Sequence, residues 1–388
     1  MITTGSEISE QYQVPGTTST TGVMKSMIHS SPLRQIARRR LSPVIVAQTL
    51  LVLLAVSPDG RVLSASPSLY ATGPHLPLAS PNCDPREQFC AKLLDRLWLN
   101  YKQQVPYVGI YESIATSGPF VNDHIAFRSL ASGKTGIMAL SRVFEALGYQ
   151  IAGVYQFPSK SLTALHLEYP NNPNFPKLFL SELRVWEMPH HIQTILQDHL
   201  ESGVGSSVSN DVLARIAHLN RGSSLNDEDE LLNQCHLLDQ LVAFFETLPW
   251  KIPTRKSLQT VNQYSPYAAW VLVHGYKVNH FTGLVMDLET LVDVLKKSGV
   301  PMKATIEGAA HSKLRQTATL AVLANVTVLD DNGTPTKTPW TYAYLEFCER
   351  PAIVDRNGVK SRFEGFLGEQ ATELFEMTNT RSDDDETL

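Results

Sequence analysis

The chain has 388 residues, with 33 Lys and Arg against 38 Asp and Glu, a formal net charge of -5 and 43% hydrophobic residues. That length and apolar fraction give room for one large domain or two intimate ones around a sizeable core. A negative balance without a basic stripe of interleaved aromatics excludes nucleic acid as the expected partner and leaves small molecules.

Residues 1–80 differ from the rest. They are rich in Ser and Thr, hold Glu7 and Glu10 as their only acids before Asp59, and gather Arg34, Arg38, Arg39 and Arg40 ahead of the apolar run VIVAQTLLVLLAV. That run falls short of the roughly 20 residues a membrane helix needs, so no stable span is expected in the mature protein. An acid-poor, Ser-rich, Arg-containing leader suits organelle import, with a plastid favoured over a mitochondrion. The order of charge then apolar run also resembles a secretory signal, and a cytoplasmic protein is the remaining alternative. Cys83, Cys90, Cys235 and Cys348 form no C-x-x-C pair, so neither a zinc ribbon nor a disulfide framework is expected, and the compartment is read as reducing.

From Asp84 the pattern becomes periodic. REQFCAKLLDRLWLNYKQQ spaces its apolar residues as a lead-in helix. NDHIAFRSL then reads as a strand, GIMALSRVFEALG as a helix closed by Gly148, and YQIAGVYQ, LTALHLEY and KLFLSELRV as three strands. Residues 81–186 are thus a helix followed by a βαβββ module. Residues 187–266 break the rhythm with helical stretches such as EDELLNQCHLLDQLVAFFETL and a Gly/Ser-rich ESGVGSSVSN, which reads as a helical insertion. Residues 267–350 repeat the first order: GYKVNHFTGLV as a strand, LETLVDVLKKSG as a helix, and MKATIEGA, LRQTATLAVLANVTVL and TYAYLEFCER as three strands. Residues 351–388 form a C-terminal extension with an acidic tail. The expected architecture is α+β, two βαβββ modules around one site, with the helical insertion partly covering its open side.

Each module opens on a strand holding a histidine, His124 or His280, and closes on one holding a glutamate, Glu182 or Glu346; the separations are 58 and 66 residues. Side chains alternate across a strand, so His124, Ala126 and Arg128 share one face, as do Tyr342, Tyr344 and Glu346. Two imidazoles and a carboxylate converging from different strands make a facial set that holds Fe(II) and leaves the opposite positions open. Donors of nitrogen and oxygen without thiolate suit iron, manganese, nickel or zinc, and iron is the expected metal. Asp123 and Asn279 are candidates to orient the two rings.

Blander readings stand beside these. Either histidine could be a satisfied core residue, Glu346 could pair with Arg350, and Arg128 could serve a structural carboxylate. Glu182 could be a fourth ligand or an ion-pair residue near Arg184, and Gln316 could bind substrate oxygens or simply pair in its strand. His190, His191, His199, His218 and His311 read as surface or capping residues, and His166 shares a strand face with Glu168, although the last-strand glutamate is the better module partner. No G-x-S-x-G elbow, phosphate loop or dinucleotide fingerprint occurs.

The runs DHIAFRSL, LFLSELRV, GYKVNHFTG, LRQTAT and YLEFCER resemble, in order and spacing, the 2-oxoadipate dioxygenase/decarboxylase family of the vicinal oxygen chelate superfamily, over about residues 85–375. The resemblance implies a non-haem Fe(II) enzyme that turns 2-oxoadipate and O₂ into 2-hydroxyglutarate and CO₂ in lysine breakdown. It carries the metal ligands onto His124, His280 and Glu346 and a substrate-gripping role onto Arg128. Arg128 lies four residues, about 13 Å of strand, beyond His124. A guanidinium reaching back can therefore meet the distal carboxylate of a diacid bound at the metal. The chain ends about forty residues past Glu346, shorter than bacterial relatives whose C-terminal segment also touches substrate. Two other functions are weighed: an O₂-independent, metal-dependent isomerase or lyase using Glu182 as base, and a non-enzymatic ligand-binding plastid protein.

Overall fold

The computed structural model describes residues 73–79, 84–115, 120–203, 207–219, 228–354, 358, 360–367 and 375–379. All of them belong to one unit, Pro67–Leu388. The basic and apolar runs read as a leader lie outside the described residues. Residues 73–79, set aside with that leader at the expected boundary of residue 80, are part of the fold. The His75 backbone N–H and ring Nδ1 both reach Asp95 Oδ1 at 2.8 Å, and the ring is fully buried. A short stretch without periodicity gives no sequence signal for such docking.

Asp95 sits on α1 (Pro85–Gln104), whose start is fixed by Asp84 accepting from the Arg86 N–H and by proline at the first position. Its apolar stripe of Phe89, Leu93, Leu97 and Tyr101 is buried in the core. A short α2 (Tyr107–Ile114) follows, then β1 (Asn122–Ala131), α3 (Ile137–Ala146), β2 (Gln150–Phe157), β3 (Leu162–Glu168) and β4 (Lys177–Arg184). Between the two halves run α4 (His190–Glu201), α5 (Asn210–Ala217), α6 (Glu228–Glu246), α7 (Arg255–Tyr264) and α8 (Pro266–His274). The second half holds β5 (Val278–Leu284), α9 (Leu288–Lys297), β6 (Arg315–Ala318), β7 (Leu323–Leu329), β8 (Pro335–Thr341) and β9 (Glu346–Glu349). β10 (Ala352–Val354) and β11 (Lys360–Arg362) pair with each other beyond it.

One seven-stranded sheet spans both halves in the order β2-β3-β4-β1-β5-β9-β6. The first strands of the halves, β1 and β5, are antiparallel neighbours at its centre, and each pairs in parallel with the last strand of its own half, β4 or β9. Read outward from that junction, the halves run alike: first strand, last strand, then an antiparallel neighbour of the last strand, β3 or β6.

The second half departs from the expected three clean strands. MKATIEGA makes only isolated bridges, Met302 to Thr319 and Glu307 to Gln316, at the place β2 holds in the first half. LRQTATLAVLANVTVL splits after Ala318: β6 stays in the sheet, while β7 leaves it to form a hairpin with β8. The hairpin closes on Asp330, whose Oδ1 accepts from the Asn332 and Thr334 N–H groups, and on Gly333 at φ +76°. In TYAYLEFCER, Thr341 ends β8 and the next strand starts only at Glu346. A continuous β-favouring run does not mark where it changes partners, because that choice lies in the neighbouring chain.

No helix among the described residues is long and apolar enough to cross a membrane.

Candidate metal centre

Sheet register sets the centre. His124 on β1 stands opposite Thr282 on β5, which stands opposite Glu346 on β9. His280 on β5 stands opposite Ala126 on β1. His124 Nε2 lies 3.4 Å from Glu346 Oε1, and His280 Nε2 lies 3.3 Å from Glu346 Oε2. One ligand atom from each of the three lies within 4.8 Å of the others. Donors on adjacent corners about an ion with bonds of about 2.1 Å stand about 3 Å apart, so the spacing fits one cation.

The polar groups behind the three fix their directions. His124 Nδ1 meets Asp123 Oδ2 at 2.9 Å, and Arg350 grips both Asp123 oxygens, Nε to Oδ1 at 2.7 Å and Nη2 to Oδ2 at 2.9 Å. His280 Nδ1 meets Asn279 Oδ1 at 3.0 Å. With Nδ1 donating in both rings, each Nε2 presents its lone pair to the centre. Thr282 Oγ1 lies 3.0 Å from His124 Nε2.

Glu346 is fully buried, and among the described residues neither of its oxygens accepts a well-formed hydrogen bond, the nearby Thr282 hydroxyl offsetting only part of the effect of burial. Burial, reinforced by the negative charge of Asp123, pushes its carboxyl up to about 8. Burial also lowers both imidazoles, His280 well below the usual histidine range, so both are neutral and able to ligate. A carboxylate denied water and hydrogen bonds is costly unless a cation compensates it, and the neutral nitrogens flanking it complete a donor set without thiolate. The residues fit a divalent metal of the kind a facial His/His/Glu set holds.

Arg128 shares the His124 face of β1 and is 2% exposed. Its Nη1 donates to Thr378 Oγ1 and its Nη2 to the Phe375 carbonyl at 3.2 Å, while the guanidinium packs over the rings of Tyr267 and Trp270. No carboxylate pairs with it among the described residues, and burial lowers its affinity for its proton. A buried cation without a counter-ion is a ready seat for an anion. A void of about 30 Å³ joins it to the three donors, with Ala126, Phe179, Ser181, Tyr344 and Phe366 in its wall.

Gln316 lies in the same wall, its amide donating to Glu307 Oε2 at 3.1 Å. Glu346 does not pair with Arg350, which is engaged by Asp123 and by the carbonyls of Phe363 and Gly365. Glu182 is not brought to the centre. Its Oε2 accepts the Ile137 N–H at 2.9 Å, holding the start of α3 from the opposite face of β4. Gly136, at φ +95°, is required there, since a Cβ would sit 2.4 Å from that oxygen. The shared face expected for Tyr342 and Tyr344 also fails, because 342–345 is not strand. Tyr344 stacks on His280 at 4.7 Å, while Tyr342 stacks on Trp270.

Sequence reasoning missed Phe179 and Phe366. The first lies in KLFLSELRV on the same face as Lys177 and Ser181, a signal that alternation alone could have supplied. The second lies beyond the last module, 4.9 Å from the His124 ring and 4.8 Å from Phe179, and nothing local announces it.

A mixed sheet built from two repeated halves, with three converging donors over its centre, is a vicinal-oxygen-chelate-like fold. The family model for 2-oxoadipate dioxygenase/decarboxylase matches residues 98–386. The chain belongs to that family. A curated relative, the 2-oxoadipate dioxygenase/decarboxylase, chloroplastic/amyloplastic, of Oryza sativa subsp. japonica, is 27% identical over 288 residues, covering 66% of this chain and 69% of the relative. Among solved structures, a glyoxalase superfamily protein from Ralstonia eutropha JMP134 aligns with TM-score 0.66 at 21% identity, covering 82% of this chain and 98% of that one. The hydroxyglutarate synthase of Oryza sativa in complex with 2-oxoadipate aligns with TM-score 0.60 at 23% identity, covering 80% and 96%. At those identities the two structures speak for the fold.

Proposed function

We propose that the protein is an Fe(II)-dependent enzyme converting 2-oxoadipate and O₂ into 2-hydroxyglutarate and CO₂, acting in lysine breakdown. The observation that carries this reading is a buried Glu346 carboxylate facing two imidazole nitrogens, joined by one void to a buried Arg128 that has no carboxylate partner among the described residues. The reaction balances, since a six-carbon 2-oxo diacid plus O₂ has the atoms of the five-carbon 2-hydroxy diacid plus CO₂.

His124, His280 and Glu346 would hold the metal, which when bound supplies Lewis acidity and oxygen activation. Every other part is played by the chain. Arg128 binds the distal carboxylate through its fork, which selects a diacid over a monocarboxylate. The substrate carboxylate takes the place of Thr378 Oγ1 and the Phe375 carbonyl at that fork, whose donors they engage in its absence. Ala126, Phe179, Tyr344 and Phe366 exclude water around the methylenes. The Gln316 amide hydrogen-bonds a substrate oxygen in exchange for Glu307. Asp123 and Asn279 keep each Nε2 aimed at the centre.

The test is anaerobic metal analysis followed by addition of 2-oxoadipate and air, with O₂ uptake and product identified together. Stoichiometric iron, substrate-dependent O₂ consumption and 2-hydroxyglutarate are expected. An O₂-independent isomerase or lyase consumes none, and its supposed base, Glu182, is engaged at α3. A purely ligand-binding protein leaves 2-oxoadipate unchanged. The Arg-containing, acid-poor leader and the plastid designation of the rice relative support a plastid location, which a fluorescent fusion of the full chain would test.

A further inference from the structure

The two halves of the sheet are related residue by residue. From His124 the register runs across to Thr282 and then to Glu346. From His280 it runs across to Ala126 and then to Phe179. Exchanging the halves therefore exchanges His124 with His280, Ala126 with Thr282, and Glu346 with Phe179. Phe179 stands two strands from one histidine as Glu346 stands two strands from the other, and both line the same void. Glu182, the glutamate of that strand, is three residues further on and faces away.

Resting on the metal site of the proposed function, we infer that Phe179 is a positioning residue that occupies the seat of a fourth protein ligand and keeps it empty of donors. A carboxylate or imidazole at this place would complete a four-ligand set, two donors from each half. A phenyl ring offers none. Its own surroundings keep it in place: Phe366 packs 4.8 Å from it and Tyr155 5.8 Å, and His166 is its register partner on β3. His166 is turned to Tyr155 Oη at 2.9 Å and Glu168 Oε1 at 3.4 Å, so it does not supply the missing donor. The consequence is chemical. With three protein ligands, an ion that accepts six donors keeps three positions, enough for a bidentate 2-oxo acid and one further small molecule. A fourth protein ligand removes one of them.

The experiment compares Phe179→Glu, Phe179→His and Phe179→Leu with the parent, using Co(II) as the probe for affinity and for its visible absorption, and 2-oxoadipate turnover of the iron-loaded proteins. Phe179→Glu or Phe179→His is expected to bind Co(II) about tenfold or more tightly, with a changed absorption band, and to lose turnover by at least about a hundredfold. Phe179→Leu, donor-free, is expected to keep the parent Co(II) affinity and spectrum. If both donor variants are folded by circular dichroism yet show the parent Co(II) affinity and spectrum, the ring does not occupy a ligand seat and the inference is wrong. A Phe179→Leu variant that changes Co(II) affinity and absorption as the donor variants do also overturns it, since packing alone would then explain the residue. One donor variant that folds is enough to decide. Failure of the parent itself to bind Co(II) would instead sink the metal site, a different outcome read in a different sample.

Discussion

Replacing Arg128 by methionine removes the guanidinium and keeps most of the side-chain volume. The side chain is buried, has no carboxylate partner among the described residues, and is lowered in proton affinity by burial. Its loss therefore leaves no orphaned anion in the fold. The partners given up are one hydroxyl, one carbonyl and the faces of Tyr267, Trp270 and Phe375, offset by the desolvation the cation no longer suffers. The thermal midpoint should stay within about 4 °C of the parent. Function responds differently. A desolvated, bidentate pair with the distal carboxylate is worth about 3–5 kcal/mol when one partner is deleted, so kcat/KM for 2-oxoadipate should fall by about 10²–10³-fold or more. Lysine at this position keeps the charge and loses the fork, and should recover part of that loss. The assay is O₂ uptake with 2-oxoadipate beside 2-oxohexanoate, which lacks the distal carboxylate. The parent should prefer the diacid strongly, and Arg128→Met should abolish the preference by slowing the diacid alone. Equal slowing of both substrates would show that Arg128 does not grip the distal end, and the assignment would fall.

Three further outcomes follow from the same geometry. Asp123→Asn replaces the charged acceptor behind His124 Nδ1 and breaks the pair with Arg350, and Co(II) titration should find affinity lowered about 10–100-fold; unchanged affinity would refute the orienting role. Glu182→Ala removes the acceptor at the start of α3 and should cost about 1 kcal/mol in urea unfolding while leaving kcat within about twofold, whereas a base at this position would lose turnover outright. In metal-free protein the Glu346 carboxyl, pushed up to about 8, is raised above its unfolded value of about 4.3. Its contribution to stability is thus complete below pH about 4.3 and lost as pH climbs through about 8, by about 3–5 kcal/mol. Glu346→Gln cannot ionise, so its stability relative to the parent should rise between pH 5 and 8 and then level off; a flat difference in urea titrations would show that the carboxyl is not held protonated.

Much of this protein was legible in order and period alone. Alternation in HIAFR put His124 and Arg128 on one face, apolar spacing identified α1, α3 and α9, and the repeated position of a histidine on β1 and β5 pointed to one centre. These features are local: side-chain direction on a strand or helix is fixed by backbone geometry within a few residues. What the repeat could not say was which glutamate belonged to the centre. Glu182 and Glu346 sit at like distances from their histidines, yet register makes Phe179 the counterpart of Glu346, and a shift of an odd number of residues sends Glu182 to the other face. Register depends on how two remote strands meet, so it is a property of the assembled sheet.

The same limit governed the edges of the site. The split of the run after Ala318, the docking of His75 on Asp95, the closure by Phe366, and the contacts of Arg128 with Phe375 and Thr378 all join segments far apart in the chain. By itself the sequence supplied the candidate residues and the way the strand-borne ones face on their own strands. Tertiary structure alone decided which of them meet, because pairing partners, depth of burial and the surroundings of Arg128 and Glu346 come into being only when distant surfaces close on one another.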